Sequence, residues 1–371
     1  MKQIRIALVL GARPQIIKSS QLIRLAQEDE KLKLSIIHTG QHYDYEMTKV
    51  FFEEFRLPEP VANLDVGSAT HAQQTAKIIS RLEPALLEQR PDLVLVPGDT
   101  NSTLAGALTA AKLNIPVAHI ESGARSYDMK MPEEINRRLT DHCSTVLFTA
   151  TQRCSQNLVK EGIDKRHIAL VGDTMYDVLL QQLQKAEKTV TLKEFNVRTK
   201  GYILLTLHRQ ENVDSQVNLK RIINALERIT MLDIVFPLHP RTRKNLLDFN
   251  MFATLRSKQH IKLIDPVGYL ESICLIKNAA LVMTDSGGVQ KEAFWLKTPC
   301  LTLRESTEWI ETVELGANRL VGSDTELIVR CAAEMVEDSD LRNRMVVMPN
   351  PFGDGHASEK ILHAIKEFTA I

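Results

Sequence analysis

One pattern repeats along this chain: a short run of Val, Ile and Leu, followed by a longer stretch whose apolar residues recur at helical spacing. The runs are IRIALVL, LSIIHT, LVLVP, VAHI, TVLFTA and IALVG in the first half, then YILLTL, DIVFPL, IKLID, ALVMTD, PCLTL and NRLVG in the second. A strand that reads as a continuous apolar run, without polar alternation, is buried on both faces, and strands separated by helices pair in parallel. The pattern predicts an α/β fold of two doubly wound, Rossmann-like parallel sheets. A chain of 371 residues also exceeds what one ordinary core holds, which agrees with two domains. The charge-rich segment LLQQLQKAEKTVTLKEFNV lies between LVGDTMYDV and the strand near Tyr202, and it puts the boundary near residue 190. The expected domains are therefore 1–190 and 191–371, the second closed by the helix in NPFGDGHASEKILHAIKEF.

Polar motifs collect where the apolar runs end. GARPQIIK, TGQH, PGDTNST and ESGARS follow strands of the first half; HRQEN, HPRTR, DPVGY and DSGG follow strands of the second. Ligands of open parallel sheets bind outside the carboxyl ends of the strands, so these motifs lie on the binding edges, and the two edges are expected to face each other across a cleft. Lys+Arg 46 against Asp+Glu 46 leaves a formal net charge of zero. No global field recruits nucleic acid or an anionic membrane, so any polyanion must be met locally. The five cysteines, Cys143, Cys154, Cys274, Cys300 and Cys331, show no C-x-x-C spacing and read as buried thiols rather than a disulfide or zinc framework. The N-terminal apolar run is too short to span a bilayer and is followed at once by Arg13 and Lys18, which predicts a cytoplasmic protein.

Several of these motifs carry groups fit for chemistry. In TDSGGVQKEAF, Ser286, Gly287 and Gly288 open a helix whose free N–H groups and positive dipole end suit a phosphate, the alternative being an ordinary N-cap and tight turn. Glu292, one turn further, can accept hydrogen bonds from ribose hydroxyls or can be a solvated helix charge. Arg13 and Lys18 offer a guanidinium fork and an ammonium to a diphosphate, unless they are plain surface charges. His208 ends an apolar strand and suits acid/base work or a phosphate oxygen, with a satisfied structural histidine as the alternative. Asp99, taken alone, reads as a turn former.

In HIESGARSYDMKMPEEINRRLTDH, Pro132 fits the first position of a helix, and Glu133 to Arg137 and Glu134 to Arg138 are i,i+4 pairs of favourable order. Two exposed salt bridges on a capped helix account for those four residues. They leave Glu121 unexplained, because a carboxylate closing an apolar parallel strand is costly unless it is paired or used.

Taken together and in order, GARPQIIK, TGQH, GDTNSTLAG, HIESGARS, PEEINRRLTDH, HRQEN, TDSGGVQKEA and NPFGDGHAS resemble the motifs of the non-hydrolysing UDP-N-acetylglucosamine 2-epimerases, almost end to end. The resemblance implies a GT-B-like fold, a homodimer and a UDP-sugar substrate, with no metal and no nicotinamide cofactor. It implies that Asp99, Glu121, Glu133 and His208 form the catalytic acid/base set. Arg13, Lys18, Arg137, Ser286, Gly287, Gly288 and Glu292 would make the nucleotide and phosphate contacts. The implied reaction is elimination of UDP across C1 and C2 to a glycal, then re-addition with protonation on the other face, in the supply of surface-polysaccharide precursors. Which carboxylate serves which face stays open.

The chain also departs from the commonest family pattern. GTRPE is here GARPQ with Gln15, TERPE is TEWIE with Trp309 in place of the arginine, PLHPRTR replaces HLNP, and QHYDYEM replaces QHREM. The missing arginine removes one phosphate or regulatory contact, and the last two changes bear on activation by a second sugar nucleotide. GARPQ, HPRTR, DPVGYLE, GVQKEAF and TEW look closer to the subgroup acting on UDP-2,3-diacetamido-2,3-dideoxyglucuronate, with the UDP-N-acetylglucosamine/UDP-N-acetylmannosamine pair as the alternative. A GT-B glycosyltransferase and a non-catalytic UDP-sugar sensor are the competing classes, since fold and nucleotide site alone do not decide function.

Overall fold

A computed structural model describes residues 3–41 and 45–368; His42, Tyr43 and Asp44, within TGQH and QHYDYEM, lie outside the described residues. In chain order the first elements are β1 (Ile4–Leu10), α1 (Arg13–Glu28), β2 (Leu32–His38), α2 (Tyr45–Glu54), β3 (Ala62–Asn63), α3 (His71–Gln89) and β4 (Leu93–Pro97). They continue through α4 (Asn101–Lys112), β5 (Val117–Ser122), α5 (Pro132–Cys143), β6 (Val146–Thr149), α6 (Gln152–Lys160), β7 (Ile168–Leu170) and α7 (Thr174–Thr189). Then come β8 (Tyr202–Thr206), α8 (Gln210–Val213), α9 (Gln216–Arg228), β9 (Asp233–Pro237), α10 (Pro240–Asp248), α11 (Phe252–Arg256) and β10 (Ile261–Ile264). The remainder is α12 (Tyr269–Asn278), β11 (Leu281–Thr284), α13 (Gly287–Trp295), β12 (Cys300–Thr302), α14 (Ile310–Glu314), β13 (Asn318–Leu320), α15 (Thr325–Glu337), α16 (Ser339–Val347) and α17 (Ala357–Phe368).

Among the described residues the strands form two sheets, ordered β3-β2-β1-β4-β5-β6-β7 and β10-β9-β8-β11-β12-β13. Every pairing is parallel. Each apolar run of the sequence is a strand; only β3, two residues long, gave no such signal. In both sheets the order reverses at one point, between β1 and β4 in the first and between β8 and β11 in the second. Turns at such reversals leave a crevice at the carboxyl ends of the strands, where ligands bind.

Side chains of successive strand residues point to opposite faces, and the core of the first sheet divides accordingly. Ile6, Leu8 and Leu10 pack with Ile16, Leu22 and Ile23 of α1, whereas Ala7, Val9, Val94 and Val96 pack with Ile78, Leu82 and Leu86 of α3. The chain divides into two compact units, residues 1–178 with 351–371, and residues 179–350. This differs from the expected split at 190 in one substantive way: α17 belongs to the first unit. Its Ile361, Leu362 and Ile365 enter the same cluster as Ile6 and Leu22, and Lys366 Nζ bonds Asp29 at 2.7 Å. Burying three such side chains contributes about 1.5–3 kcal/mol each, far more than a half-exposed ion pair. Asp177 caps α17 by accepting from the backbone N–H groups of Ala357 and Ser358 at 3.0 and 2.7 Å.

The closing helix is therefore part of the first core. Ile361→Ala is expected to destabilise the first unit by about 2–4 kcal/mol, read as a lower urea midpoint. An unchanged midpoint would mean that α17 is only laid on its surface.

Candidate active site

At the reversal of the first sheet, the turn after β1 must bring backbone close to two neighbouring strands. A Cβ at Gly11 would lie 1.8 Å from Thr39 Oγ1 and 2.5 Å from Ser102 Oγ, so this position admits only glycine. The Gln15 carboxamide ties that turn to the next one. Its Oε1 accepts from the N–H groups of Gly11 and Ala12 at 2.9 and 3.1 Å, and its Nε2 donates to Pro97 O and Thr103 Oγ1 at 2.8 and 3.0 Å. A glutamate has no such donor, which gives the departure from GTRPE a physical role. Arg13, at the start of α1, is exposed and stands with its guanidinium carbon 4.7 Å from the Phe51 ring centroid.

The end of β4 exposes three successive carbonyls, and side chains meet all of them. Pro97 O accepts from Gln15 and from Thr103 Oγ1 (2.8 Å), Gly98 O from His119 Nε2 (2.7 Å), and Asp99 O from Asn136 Nδ2 (2.9 Å). Gly98 turns the chain with φ +74°, and a Cβ there would stand 3.1 Å from Lys18 Nζ. On the neighbouring strand, the register of β5 with β6 shifts between Ile120 and Ser122. Glu121, the residue in that irregularity, has φ +72°. A left-handed backbone in a non-glycine residue costs of order 1 kcal/mol or more and re-aims the side chain out of the strand. The re-aimed carboxylate meets Lys18 Nζ in an ion pair whose two side chains are 16% and 12% exposed.

Asp99, Glu121, Glu133, Lys18 and Arg137 are thus brought together. Burial pushes the Asp99 carboxyl above its ordinary range; Arg137 opposes this, Glu133 and Glu121 add to it, and Lys18 opposes it again. Arg137 Nη1 lies 3.4 Å from Asp99 Oδ2.

The exposed salt bridges expected on α5 need correcting. Glu134 is fully buried: its Oε2 accepts from Ser126 N and Oγ at 2.9 and 3.1 Å, its Oε1 from Arg138 Nε at 3.1 Å, and Arg137 Nε lies 3.4 Å away. Arg137 is itself buried and serves Asp99 as well. Glu134 therefore folds the loop after β5 onto the helix instead of decorating its surface. Asp141, on the same helix, anchors the other end of that loop. It accepts from His119 Nδ1 at 2.7 Å, from Gly123 N at 3.1 Å and from Arg125 Nη2 at 2.7 Å. Burial works against its ionisation, but His119 and then Arg125 outweigh that and hold the Asp141 carboxyl below the usual range.

In the second unit the reversal between β8 and β11 brings His208 to Asp285. The Asp285 carboxylate accepts from the backbone N–H groups of His208 and Arg209 at 3.1 and 2.9 Å, and from Asn212 Nδ2 at 3.3 Å. His208 Nδ1 lies 3.6 Å from Asp285 Oδ1, and its ring is tilted against His239 with centroids 5.6 Å apart. Burial holds the His208 imidazole below its ordinary value; Asp285 opposes this, while Arg209 and Arg241 add to it. Ser286 is the N-cap of α13, its Oγ accepting from Val289 N at 3.5 Å, and Gly287 and Gly288 leave the start of that helix uncovered by any Cβ. Glu292 is buried, not a solvated charge. Beside this helix start, Arg304 forms a buried fork with Glu308 (both bonds 3.0 Å), and Trp309 lies with its ring 3.9 Å from Lys291 Nζ.

Sequence reasoning missed His119, Asp141, Asp285 and Gln15 as organisers. The signal for His119 was present, since a polar residue inside the otherwise apolar run VAHI needs a buried partner. Asp285 offered none, because an aspartate before a helix reads as a cap, and here it caps a different element.

The family model described as UDP-N-acetylglucosamine 2-epimerase matches residues 24–366. The UDP-N-acetylglucosamine 2-epimerase of Methanocaldococcus jannaschii is 49% identical over 367 residues, covering 97% of this chain and 98% of that one. The UDP-2,3-diacetamido-2,3-dideoxy-D-glucuronate 2-epimerase of Pseudomonas aeruginosa is 44% identical over 361 residues, covering 96% and 98%. The crystal structure of the M. jannaschii enzyme in complex with UDP-GlcNAc and UDP superposes with a TM-score of 0.91 at 48% identity, covering 98% of this chain and 100% of that one. The two sheets are those of the GT-B-like fold of these epimerases.

The charges around Asp99 act on it in opposite senses, which gives a test free of any assumption about its role. Arg137→Gln is expected to move the Asp99 titration to higher pH and Glu121→Gln to move it lower, both read from its side-chain carboxyl ¹³C shift. Shifts of the same sign in the two variants would refute this electrostatic picture.

Proposed function

The chain belongs to the UDP-N-acetylglucosamine 2-epimerase family, and on that premise we propose that it inverts C2 of a UDP-2-acetamido sugar by eliminating and re-adding UDP. It is an isomerase. The observation that carries the proposed route is the convergence of Asp99, Glu121 and Glu133 with Lys18 and Arg137 at the reversal of the first sheet.

The C2 proton of such a sugar is not alpha to a carbonyl, so its direct removal would be very slow. In the elimination, a base takes that proton as the C1–O bond breaks, the electron pair forms the C1–C2 double bond, and UDP departs. In the return, a proton is delivered to C2 from the opposite face while a phosphate oxygen of UDP attacks C1. The route needs a base, a proton donor and a grip that retains the diphosphate. Carboxylates of differing environment supply the first two: Asp99 is pushed towards the protonated form by burial, while Glu121 has Lys18 as a counter-charge. In the first unit Arg13, Lys18 and Arg137 offer cationic groups to a diphosphate; in the second, His208 and the start of α13 offer donors and a positive dipole end to a phosphate, and Glu292 a ribose contact.

The five cysteines, none of them in a disulfide, fit a reducing, cytoplasmic setting. Among the described residues no helix is long and apolar enough to cross a membrane. Ile135 and Leu139, one turn apart on α5, are 39% and 50% exposed, and they suit the helix contact of a homodimer. Leu139→Glu is then expected to halve the mass seen by light scattering.

For the reaction, turnover in D2O is expected to place deuterium at C2 of the product; inversion without it sinks the elimination route. UDP-N-acetylglucosamine and UDP-2,3-diacetamido-2,3-dideoxyglucuronate form the two substrate arms, and the higher kcat/KM identifies the native sugar. Glu121→Gln and Glu133→Gln are each expected to lower kcat by about 10²- to 10⁴-fold. Near-native turnover removes that residue from the set.

A further inference from the structure

His119 sits in the middle of β5 with no exposed surface, and both of its ring nitrogens face acceptors. Nδ1 is 2.7 Å from Asp141 Oδ1 and Nε2 is 2.7 Å from Gly98 O. A backbone carbonyl accepts only, and so does an ionised carboxylate, so the ring makes both bonds only when both nitrogens carry a proton. A neutral ring would turn a lone pair toward one of two buried oxygens. Asp141 is also met by Arg125 Nη2 at 2.7 Å, and Arg125 is forked onto the partly buried Glu161 at 2.9 and 2.7 Å, with His142 Nε2 3.8 Å from that carboxylate. Arg125 is buried and its Nη1 donates to Ala124 O at 2.8 Å, which leaves the network with no unmet charge on that side.

The position of the ring matters more than its charge alone. Gly98 O is the middle carbonyl of the turn that presents Asp99, and Gly98 N donates to Ile120 O at 2.9 Å. Asp141 Oδ2 accepts from Gly123 N, so it fixes the far side of the irregularity that presents Glu121. One ring and its carboxylate therefore span both acid/base turns. We propose that His119, held between Asp141 and the Gly98 carbonyl, is a positioning residue that sets the separation of Asp99 and Glu121. This rests on the epimerase reading of the same turns. The ring's carboxylate partner is Asp141 from α5, with Arg125 from the following loop and then Glu161 and His142 behind it; Asp99, Glu121 and Lys18 lie at the strand ends that the ring braces. The flanking runs of β4 and β6, LVLVP and VLFT, contribute no ionisable side chain.

The experiment has two parts. In the wild-type protein, long-range ¹H–¹⁵N spectra of the imidazole are expected to show an N–H at both His119 nitrogens, as donors to Asp141 and to Gly98 O. A ring lacking either N–H overturns the proposal whatever the reaction proves to be. In kinetics, His119→Ala is expected to lower kcat by about 10- to 100-fold with KM held within about twofold, and His119→Gln, which keeps one donor, to fall between. Asp141→Asn keeps an acceptor for the ring but loses the charge, and its kcat is expected to fall between wild type and His119→Ala, again with KM held. A loss of kcat/KM that lies mainly in KM, or near-wild-type kcat in His119→Ala, would overturn the positioning role.

Discussion

The carboxyl ends of parallel strands present carbonyls that no further strand can satisfy, and this chain answers that need with side chains. At the end of β4, Gln15, Thr103, His119 and Asn136 reach Pro97, Gly98 and Asp99 from four other elements. A buried carbonyl left unmet costs about 1–3 kcal/mol, so removing any of these donors loosens the turn as well as the bond. The turn that carries Asp99 is thus as fixed as the sheet beneath it. Preorganised groups contribute to catalysis because they need not be reoriented when charge develops. Here the same bonds that satisfy the backbone provide the preorganisation.

The Lys18–Glu121 pair extends that logic to charge. Glu121 leaves its strand in a left-handed conformation, and an ammonium stands where the carboxylate emerges, which offsets that strain. Gly98 is required beside it, since a side chain there would crowd Lys18. Three positions distant in sequence therefore hold one another: a helix lysine, a turn glycine and a strained glutamate.

Much of the fold was legible because parallel strands buried on both faces leave continuous apolar runs, and twelve such runs name twelve strands. β3 was not, since two residues make no pattern. The ownership of α17 was hidden for a different reason: an amphipathic helix shows which face it buries but not against what, and Ile361 could have met either core. At the site, chemistry-bearing side chains at strand ends were visible, Glu121 above all. The i,i+4 spacing on α5 found the Glu134–Arg138 pair but not its burial, because Arg137 and Glu134 turn inward to Asp99 and Ser126. Local spacing cannot report a partner thirty-eight residues away. Organisers such as Asp285 and Gln15 act through backbone groups of other elements, and that geometry exists only once the sheets are assembled.

The change from arginine to Trp309 is compensated next door. The Lys291 ammonium is buried and lies 3.9 Å from the centre of the Trp309 ring, with Trp295 on another side at 5.8 Å. A guanidinium in place of that ring would set two cations together in a buried site, whereas the face of the indole attracts the ammonium. Glu308, the neighbouring carboxylate, is already matched by Arg304. The indole edge meanwhile reaches the start of α13, its Nε1 lying 3.4 Å from where a Cβ of Gly287 would be. The cation at this edge of the second unit is Lys291, buried behind the aromatic ring, and the anion-binding role proposed for the edge rests on the N-terminus of α13. Such a grip is weaker in charge but keeps its direction, because N–H groups of a helix start point along one axis. A diphosphate that must leave C1 and return to it is served by an anchor that orients without binding too tightly to release.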